Sequence, residues 1–428
     1  VKPRELFLAE NTNLRNIYSC PLLFSSPRRY TGNIYSEIED FARKVVPPMN
    51  AFQFHLPTRI LFGPDTIAQV GEAVKAAGGS RVLVLYGTGS VQRNGVLDQV
   101  LAALDGQKIP YCVEGGIQPN PRLAKAQELA DAYADKGIDF LLGVGGASVL
   151  DTCKAVAIGL ASGGSIWDYF CKLRPITGAL PVGSVLTIAA AGSETSDSAV
   201  LTDEATDSKR GCNTPFNRPA FAILDPTLTY TLPAYQTACG AADMMLHTME
   251  RYFGVNAGAN EITDGIAEAI LRTVMVNAPK ALKKPDDYQA RSELMWCGSL
   301  SHNDLTGLGR GKDFSVHQLG HTVSAVFDIA HGASLTAMWC HWARYVCQTD
   351  PARFARLGRQ VLGVTLSDDD AAARETITQF GKLWQSWGLP TSLGQCVGIQ
   401  TEGTLRRMAH LCSYEGTRTV GTFRPLNE

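Results

Sequence analysis

An α/β fold with a Rossmann-like parallel sheet, followed by an all-helical half, is what this sequence predicts, on three observations. From about residue 81, short apolar runs alternate with glycine turns and helical periodicity. From about residue 235, alanine, leucine and methionine recur at three- and four-residue spacing and strand-like runs nearly vanish. Two glycine turns, "YGTGS" and "GVGGAS", directly follow apolar runs. Such alternation implies parallel strands with helices packed on their faces.

The elements follow in order. "NAFQFHLPTRILFG" alternates apolar and polar residues like an edge strand. "RVLVLYGTGS" reads as a strand ending in a turn, and "VLDQVLAALDG" as a helix with a glycine stop. "YCVEGGIQPNP" is a second short strand closed by prolines, and "AKAQELADAYADKG" a helix. "DFLLGVGGAS" and "VLDTCKAVAIG" repeat the pattern. After "AFAILDPTLTYTLP" the helical texture takes over. The expected division is therefore an α/β dinucleotide-binding domain at 49–234 and an all-helical metal-binding domain at 235–428. Residues 1–48 have no clear period, no secretory apolar core and too many acidic residues for a transit peptide. They are expected to be an extension outside the core fold.

Composition narrows the function classes. Hydrophobic residues make up 45% and charged residues 19% of the 428, and the formal net charge is −2. Neither nucleic acid nor an acidic membrane is an expected partner. No run of about 18 apolar residues predicts a membrane span. The 11 cysteines include no CxxC pair, which reads as free thiols in a reducing compartment. A cytoplasmic location is expected.

The chemistry-bearing stretches are few. In "LLGVGGASVLDTCK", Gly145, Gly146, Ala147 and Ser148 stand between a strand and a helix. Small residues there let backbone N–H groups approach a phosphate at a helix N-terminus. A tight turn without a ligand is the alternative. Gly87, Thr88, Gly89 and Ser90 form a similar turn. Neither matches GxGxxG, but two such turns in one sheet favour a dinucleotide. In "CGAADMMLHTMERYF", Asp243 and His247 share one helix face. They can bind a divalent ion or simply hydrogen-bond to each other. In "HQLGHTVSAVFDIAHG", His317, His321 and His331 fall within fifteen residues, and five of the 8 histidines lie in 302–341. One carboxylate with two or three imidazoles suits zinc or ferrous iron, with a position left for substrate. His302, His341 and His410 have no partner that the sequence names.

The spacing Asp243–His247, His317, His331, together with "LTIAAAGSETSDSAV" and "GGASVLDTCK", resembles the iron-containing (group III) alcohol dehydrogenases. Within them it is most similar to the bacterial NADPH-dependent aldehyde reductases and butanol dehydrogenases. The resemblance runs from about Met49 nearly to the C-terminus and includes "FGPDTI", "LDPTLTYTLP" and "GTFRPLNE". Members of that family usually continue for another short helix there, so a slightly truncated chain is expected.

The resemblance implies the dehydroquinate synthase-like fold and a metal-dependent NAD(P)(H) alcohol dehydrogenase or aldehyde reductase. Its substrates would be short- to medium-chain primary alcohols or aldehydes, its metal Fe²⁺ or Zn²⁺, and its assembly a homodimer or larger homo-oligomer. It puts the metal on Asp243, His247, His317 and His331, and a proton-transfer role on His321. Gly145, Gly146, Ala147 and Ser148 would hold the pyrophosphate, with Asn120, Thr187, Ser196, Lys209 and Leu228 also touching cofactor. Asp151 would face the nicotinamide side of the cleft, as both a catalytic and a cofactor contact. Ala191 and Ser196 depart from the threonine and asparagine usual in the aldehyde-reductase branch. NAD-preferring members tend to carry an aspartate in the first glycine turn. Thr88 stands there in this chain and Arg93 follows closely, so NADP(H) is expected to be preferred and NAD(H) usable. Two other classes compete. A dehydroquinate synthase-like lyase needs several Lys and Arg beside the metal, and 239–251 and 315–332 hold only Arg251. A non-enzymatic metal-binding protein would not explain the phosphate-type turns.

Overall fold

The computed structural model describes residues 49–255 and 260–428; the expected extension 1–48 falls outside them. The described residues form one compact unit. The strands are β1 (Arg59–Phe62), β2 (Val82–Tyr86), β3 (Tyr111–Glu114), β4 (Phe140–Gly145), β5 (Val182–Leu186), β6 (Ser198–Asp203), β7 (Ser208–Asn213) and β8 (Phe221–Leu224). Six make one sheet in the order β1-β8-β5-β4-β2-β3, parallel throughout. The expected edge strand does lie at the edge, but only its last residues, 59–62, pair. Ladder alternation sorts the side chains. Leu83, Leu85 and Leu141 pack on one face with Leu129 and Val156. Val82, Val84 and Leu142 pack on the other with Val100 and Leu104. Both faces are buried, which is why these strands read as continuous apolar runs.

Chain order reverses between β2 and β4. From β2 the chain steps outward to β3; from β4 it steps the other way, to β5 and then β8. The turns after β2 and β4 therefore diverge at the carboxyl edge, where open α/β sheets leave a crevice for ligands. One element escaped the sequence reading. β6 and β7 form an antiparallel hairpin from Ser198↔Asn213 to Asp203↔Ser208; β6 has only a three-residue apolar run and β7 is polar and mostly half-buried.

The longer helices are α1 (Val96–Gly106), α2 (Leu123–Tyr133), α3 (Ala147–Ser162), α4 (Ala234–Tyr252), α5 (Glu261–Lys283), α6 (Tyr288–Ser301), α7 (Ser315–Phe327), α8 (His331–Val346), α9 (Asp369–Ser386) and α10 (Glu402–Cys412). From α4 onward the described residues form only helices, turns and one isolated bridge, Val420↔Leu426. Their core gathers Tyr252, Phe253, Trp339, Phe354 and Trp384. The start of α8 lies so close to α4 that a Cβ on Gly332 would stand 2.2 Å from the Cys239 carbonyl oxygen. Only glycine permits that approach, and it sets His331 one turn of α4 away from Asp243. The ten cysteines among the described residues are free thiols. None of the described helices is long and apolar enough to cross a membrane.

Candidate metal and dinucleotide site

A single cavity of about 880 Å³ runs from the carboxyl edge of the sheet to the faces of α4, α7 and α8. Gly87, Thr88 and Ser90 line it from the turn after β2, and Gly145, Gly146, Ala147 and Ser148 from the turn after β4. Gly146 caps α3 in extended backbone, so the first N–H groups of a sixteen-residue helix face the cavity. Thr187, Ser196, Lys209, Asn120 and Asp151 also line it.

Two of the expected cofactor positions, Gly89 and Leu228, do not line this cavity. Gly89 is not on the cavity wall; with φ 102° it caps the short helix Ser90–Arg93. Leu228 packs its apolar side chain against the sheet core around Val84 and Ile223.

At the other end four side chains converge. Asp243 and His247 come from one face of α4, His317 from α7 and His331 from the first position of α8. Asp243 Oδ1 lies 3.1 Å from His247 Nδ1, 3.5 Å from His317 Nε2 and 3.8 Å from His331 Nε2. Asp243, His247 and His317 are buried, and each offers a donor atom to a common point. Asp243 Oδ1 and His317 Nε2 have no hydrogen-bond partner. A buried carboxylate oxygen and imidazole nitrogen left unpaired and facing each other are costly unless a cation joins them. The donor spacings also suit the case. Ligands about 2.1 Å from a tetrahedral centre are about 3.4 Å apart. The residues present therefore fit a divalent metal of the zinc or ferrous type.

The electrostatics agree. Burial alone would raise the Asp243 carboxyl, but His247 and His331 beside it hold it well below the usual range. Burial pulls His247 down to about 4. His317 is the exception. Burial opposes its charge, yet the Glu250 carboxylate lifts it to about 9. Glu250 lies one turn of α4 beyond His247. It pairs with His317 Nδ1 and accepts from the backbone N–H groups of Val316 and His317. The pairing turns His317 Nε2 toward Asp243, the carboxylate–histidine arrangement that orients metal ligands. Glu250 was not foreseen, because its partner lies 67 residues away. Glu250→Gln keeps the shape and removes the charge. It is expected to weaken divalent-metal affinity about 10–100-fold, read by competition with a chelator. Unchanged affinity would mean that Glu250 does not orient His317.

His321 lies one turn after His317 on the same helix face. It lines the cavity with its ring centroid 5.3 Å from that of His331 and 6.3 Å from that of His317. Burial and the nearby Lys209 keep it well below the usual imidazole range. Lys209 is itself pulled down to about 8 by burial. Its ammonium donates to Asn120 Oδ1 at 2.9 Å. The Asn120 amide donates in turn to Asp328 Oδ1 and the Ile329 carbonyl, at 2.9 and 3.2 Å. Asn120 thus ties the sheet side of the cavity to the loop that leads into His331.

Asp151 is more constrained than expected. Its oxygens accept from Ser193 Oγ at 2.7 Å and from the Val200 N–H at 3.0 Å, and burial raises its pKa. It braces the 193–200 segment. Lys154, fully buried, does the same and was missed: it donates to the Ser193, Ser196 and Ser198 carbonyls and to Ser193 Oγ. His302, left without a partner above, packs its ring against that of His247, with centroids 4.0 Å apart and planes tilted by 33°. Its Nδ1 donates to the Ala191 carbonyl at 2.8 Å. His341 and His410 do not line the cavity.

The sequence profile of iron-containing alcohol dehydrogenases matches residues 57–226, and that of the C-terminal part of the Fe-containing alcohol dehydrogenases matches 237–428. The chain belongs to the iron-containing alcohol dehydrogenase family. It is 38% identical to NADH-dependent butanol dehydrogenase A of Clostridium acetobutylicum, over 89% of this chain and 97% of that one. It is 36% identical to the NADPH-dependent aldehyde reductase YqhD of Escherichia coli, over 81% and 88%. Among solved structures, NADH-dependent butanol dehydrogenase A of Thermotoga maritima superposes with a TM-score of 0.85 at 36% identity, covering 89% of this chain and 96% of that one. As a member of this family the chain is an oxidoreductase that interconverts alcohols and aldehydes with a nicotinamide cofactor and a divalent metal, acting on small molecules.

Proposed function

We propose that the chain works mainly as a reductase of short- to medium-chain aldehydes, with Fe²⁺ or Zn²⁺ on Asp243, His247, His317 and His331 and with NADPH preferred over NADH. The observation that carries this reading is the joining of two features in one cavity: the unpaired Asp243–His317 donors and the two glycine turns of the sheet edge. A phosphate-binding crevice and a metal-type cluster facing each other suit hydride transfer to a polarised carbonyl. When bound, the metal supplies a Lewis acid for the substrate oxygen and the nicotinamide supplies the hydride.

The chain's own residues do the rest. The turn backbones and the start of α3 receive the diphosphate. Lys209 and Thr187 touch the cofactor where it crosses toward the cluster. Asp151 and Lys154 hold the 193–200 segment against that face. Glu250 orients His317. His321 carries the proton to or from the substrate oxygen. The 49–234 and 235–428 halves thus divide the work between cofactor and metal. A homodimer or larger homo-oligomer in the cytoplasm is part of the same reading. Anaerobic reconstitution with Fe²⁺, Zn²⁺, Co²⁺ and Mn²⁺, followed by a panel of aldehydes with NADPH and NADH, tests it. No turnover of any aldehyde with any metal would overturn it.

Cofactor choice rests on the turn after β2. Thr88 and Ser90 line the cavity there, and no acidic residue lies between Tyr86 and Gly95. Arg93 Nη1 stands 3.3 Å from where a Cβ on Gly89 would be, so a guanidinium overhangs the turn. A 2′-phosphate would meet donors and a positive charge. Thr88→Asp is expected to lower kcat/KM for NADPH relative to NADH by about 1–3 kcal/mol of transition-state binding. A parent enzyme favouring NADH tenfold, or an unchanged ratio in the variant, would place the specificity elsewhere.

A further inference from the structure

Cations in this cavity outnumber the carboxylates free to meet them. Asp151 is held by Ser193 and Val200, Asp328 by Arg122 at 2.8 Å, and Asp207 by Arg407. Asp243 belongs to the metal cluster. Of the lining cations, Arg122 is paired with Asp328 and Lys312 with Asp304, while Arg418 donates from Nε and Nη2 to the Cys412 carbonyl and lies over the Tyr414 ring, away from the metal cluster. Lys209 lies against the proposed cofactor path. Arg251 is different. It lines the cavity one turn of α4 beyond His247 and is 2% exposed. Among the described residues no carboxylate lies within ion-pair distance of its guanidinium. The nearby acids are occupied: Asp304 by Arg218 at 2.7 Å and by Lys312, Asp197 by Arg218 at 3.9 Å, and Glu250 by His317.

Arg251 donates from Nη1 to the His247 carbonyl at 3.0 Å, and its Nε has no partner. Its guanidinium lies over the Phe314 ring, 4.7 Å from the centroid. Phe314 is held with φ 59°, a left-handed backbone that a bulky side chain rarely adopts. Its ring also faces His247, His302 and His317. The strained turn therefore lays one aromatic floor against both the metal cluster and a buried cation that lacks an anion. Leaving a buried guanidinium unpaired is costly.

We infer that Arg251, over the Phe314 floor, is a specificity-determining residue that receives a carboxylate carried by the aldehyde, so that the favoured substrate is a short ω-oxocarboxylate. This rests on the reading of the site as an aldehyde reductase. The reaction is unchanged in its balance: NAD(P)H gives hydride to the carbonyl carbon, one proton goes to its oxygen, and the distal carboxylate takes no part. His247 and Arg251 stand one helical turn apart, with Cβ atoms about 5–6 Å from each other, so the carboxylate and the carbonyl are joined by a short chain. The planar guanidinium fork matches a carboxylate.

The test compares 4-oxobutanoate with butanal on the metal-loaded enzyme, in the parent, Arg251→Gln and Arg251→Lys. The parent should favour 4-oxobutanoate at least tenfold in kcat/KM. Arg251→Gln should lower the 4-oxobutanoate-to-butanal ratio on the order of 10²-fold, chiefly through KM, the scale of a lost charged hydrogen bond. Arg251→Lys should restore part of it. Calorimetric binding of butanedioate to the parent, with no binding of butanediamide, gives a second readout that needs neither variant nor turnover. Equal use of the two aldehydes by the parent, absence of butanedioate binding, or an unchanged ratio in Arg251→Gln would each overturn the assignment. So would a stronger preference for an aldehyde bearing a phosphate. Failure of both aldehydes with every metal would instead overturn the reductase reading.

Discussion

A His331→Ala or His247→Ala protein is expected to lose bound metal on dialysis and to lose turnover by about 10³-fold or more. That corresponds to about 4 kcal/mol of transition-state stabilisation, the several kcal/mol that a Lewis acid supplies at a developing oxyanion. The geometry leaves little room for compensation. His331 Nε2 is 3.8 Å from Asp243 Oδ1, and Gly332 already touches α4, so the backbone cannot move closer to bring in another donor. His247 is buried one turn after Asp243, with the His302 ring packed against its own. Binding of NAD(P)H, followed by fluorescence, should survive, because both glycine turns lie on the sheet side of the cavity. Full turnover by metal-free His331→Ala would sink the metal-dependent reading.

The second large effect concerns His321. His321→Ala should keep its metal and lose about 10²–10⁴-fold in rate, the usual contribution of a positioned acid–base group. Burial keeps this imidazole neutral well below its ordinary pKa of about 6.5. The neutral ring is the form that accepts a proton during alcohol oxidation. Oxidation by the parent should therefore fall off only on the acid side of the ordinary imidazole range, as pH drops through the ring's lowered pKa. In the variant that acid limb should vanish. Loss of metal from His321→Ala would make it a ligand. An unchanged pH–rate profile would leave the proton to water and the cofactor ribose.

Much of this molecule is legible in short stretches of sequence. Apolar runs of five or six residues followed by glycine turns announce β2 and β4, because strands buried on both faces need continuous apolar side chains and a phosphate crevice needs small residues at the turn. Asp243 with His247, and His317 with His321, announce themselves because residues four apart on a helix share one face. These are local rules, and local spacing is enough to express them. The resemblance added the link between the pairs, which spacing alone left open between a metal site and ordinary hydrogen-bonded helix pairs.

Other features were decided only by folding. The β6–β7 hairpin is hard to read because β6 offers only the short apolar run Ala199–Leu201 and β7 is polar and mostly half-buried. Lys154 reads as an ordinary residue of a helix, yet it is fully buried and holds three carbonyls of a segment some forty residues away. Glu250, His302 and Arg251 likewise look like common helix residues in the sequence. Glu250 becomes a ligand orienter because α7 brings His317 to it, and His302 becomes part of the site because the end of α6 meets α4. Arg251 becomes an unpaired cation because the acids around it are taken by Arg218, Lys312 and His317. A side chain's chemistry is set by its partners and by its loss of water, and here those partners come from segments tens of residues distant, which only tertiary packing brings together.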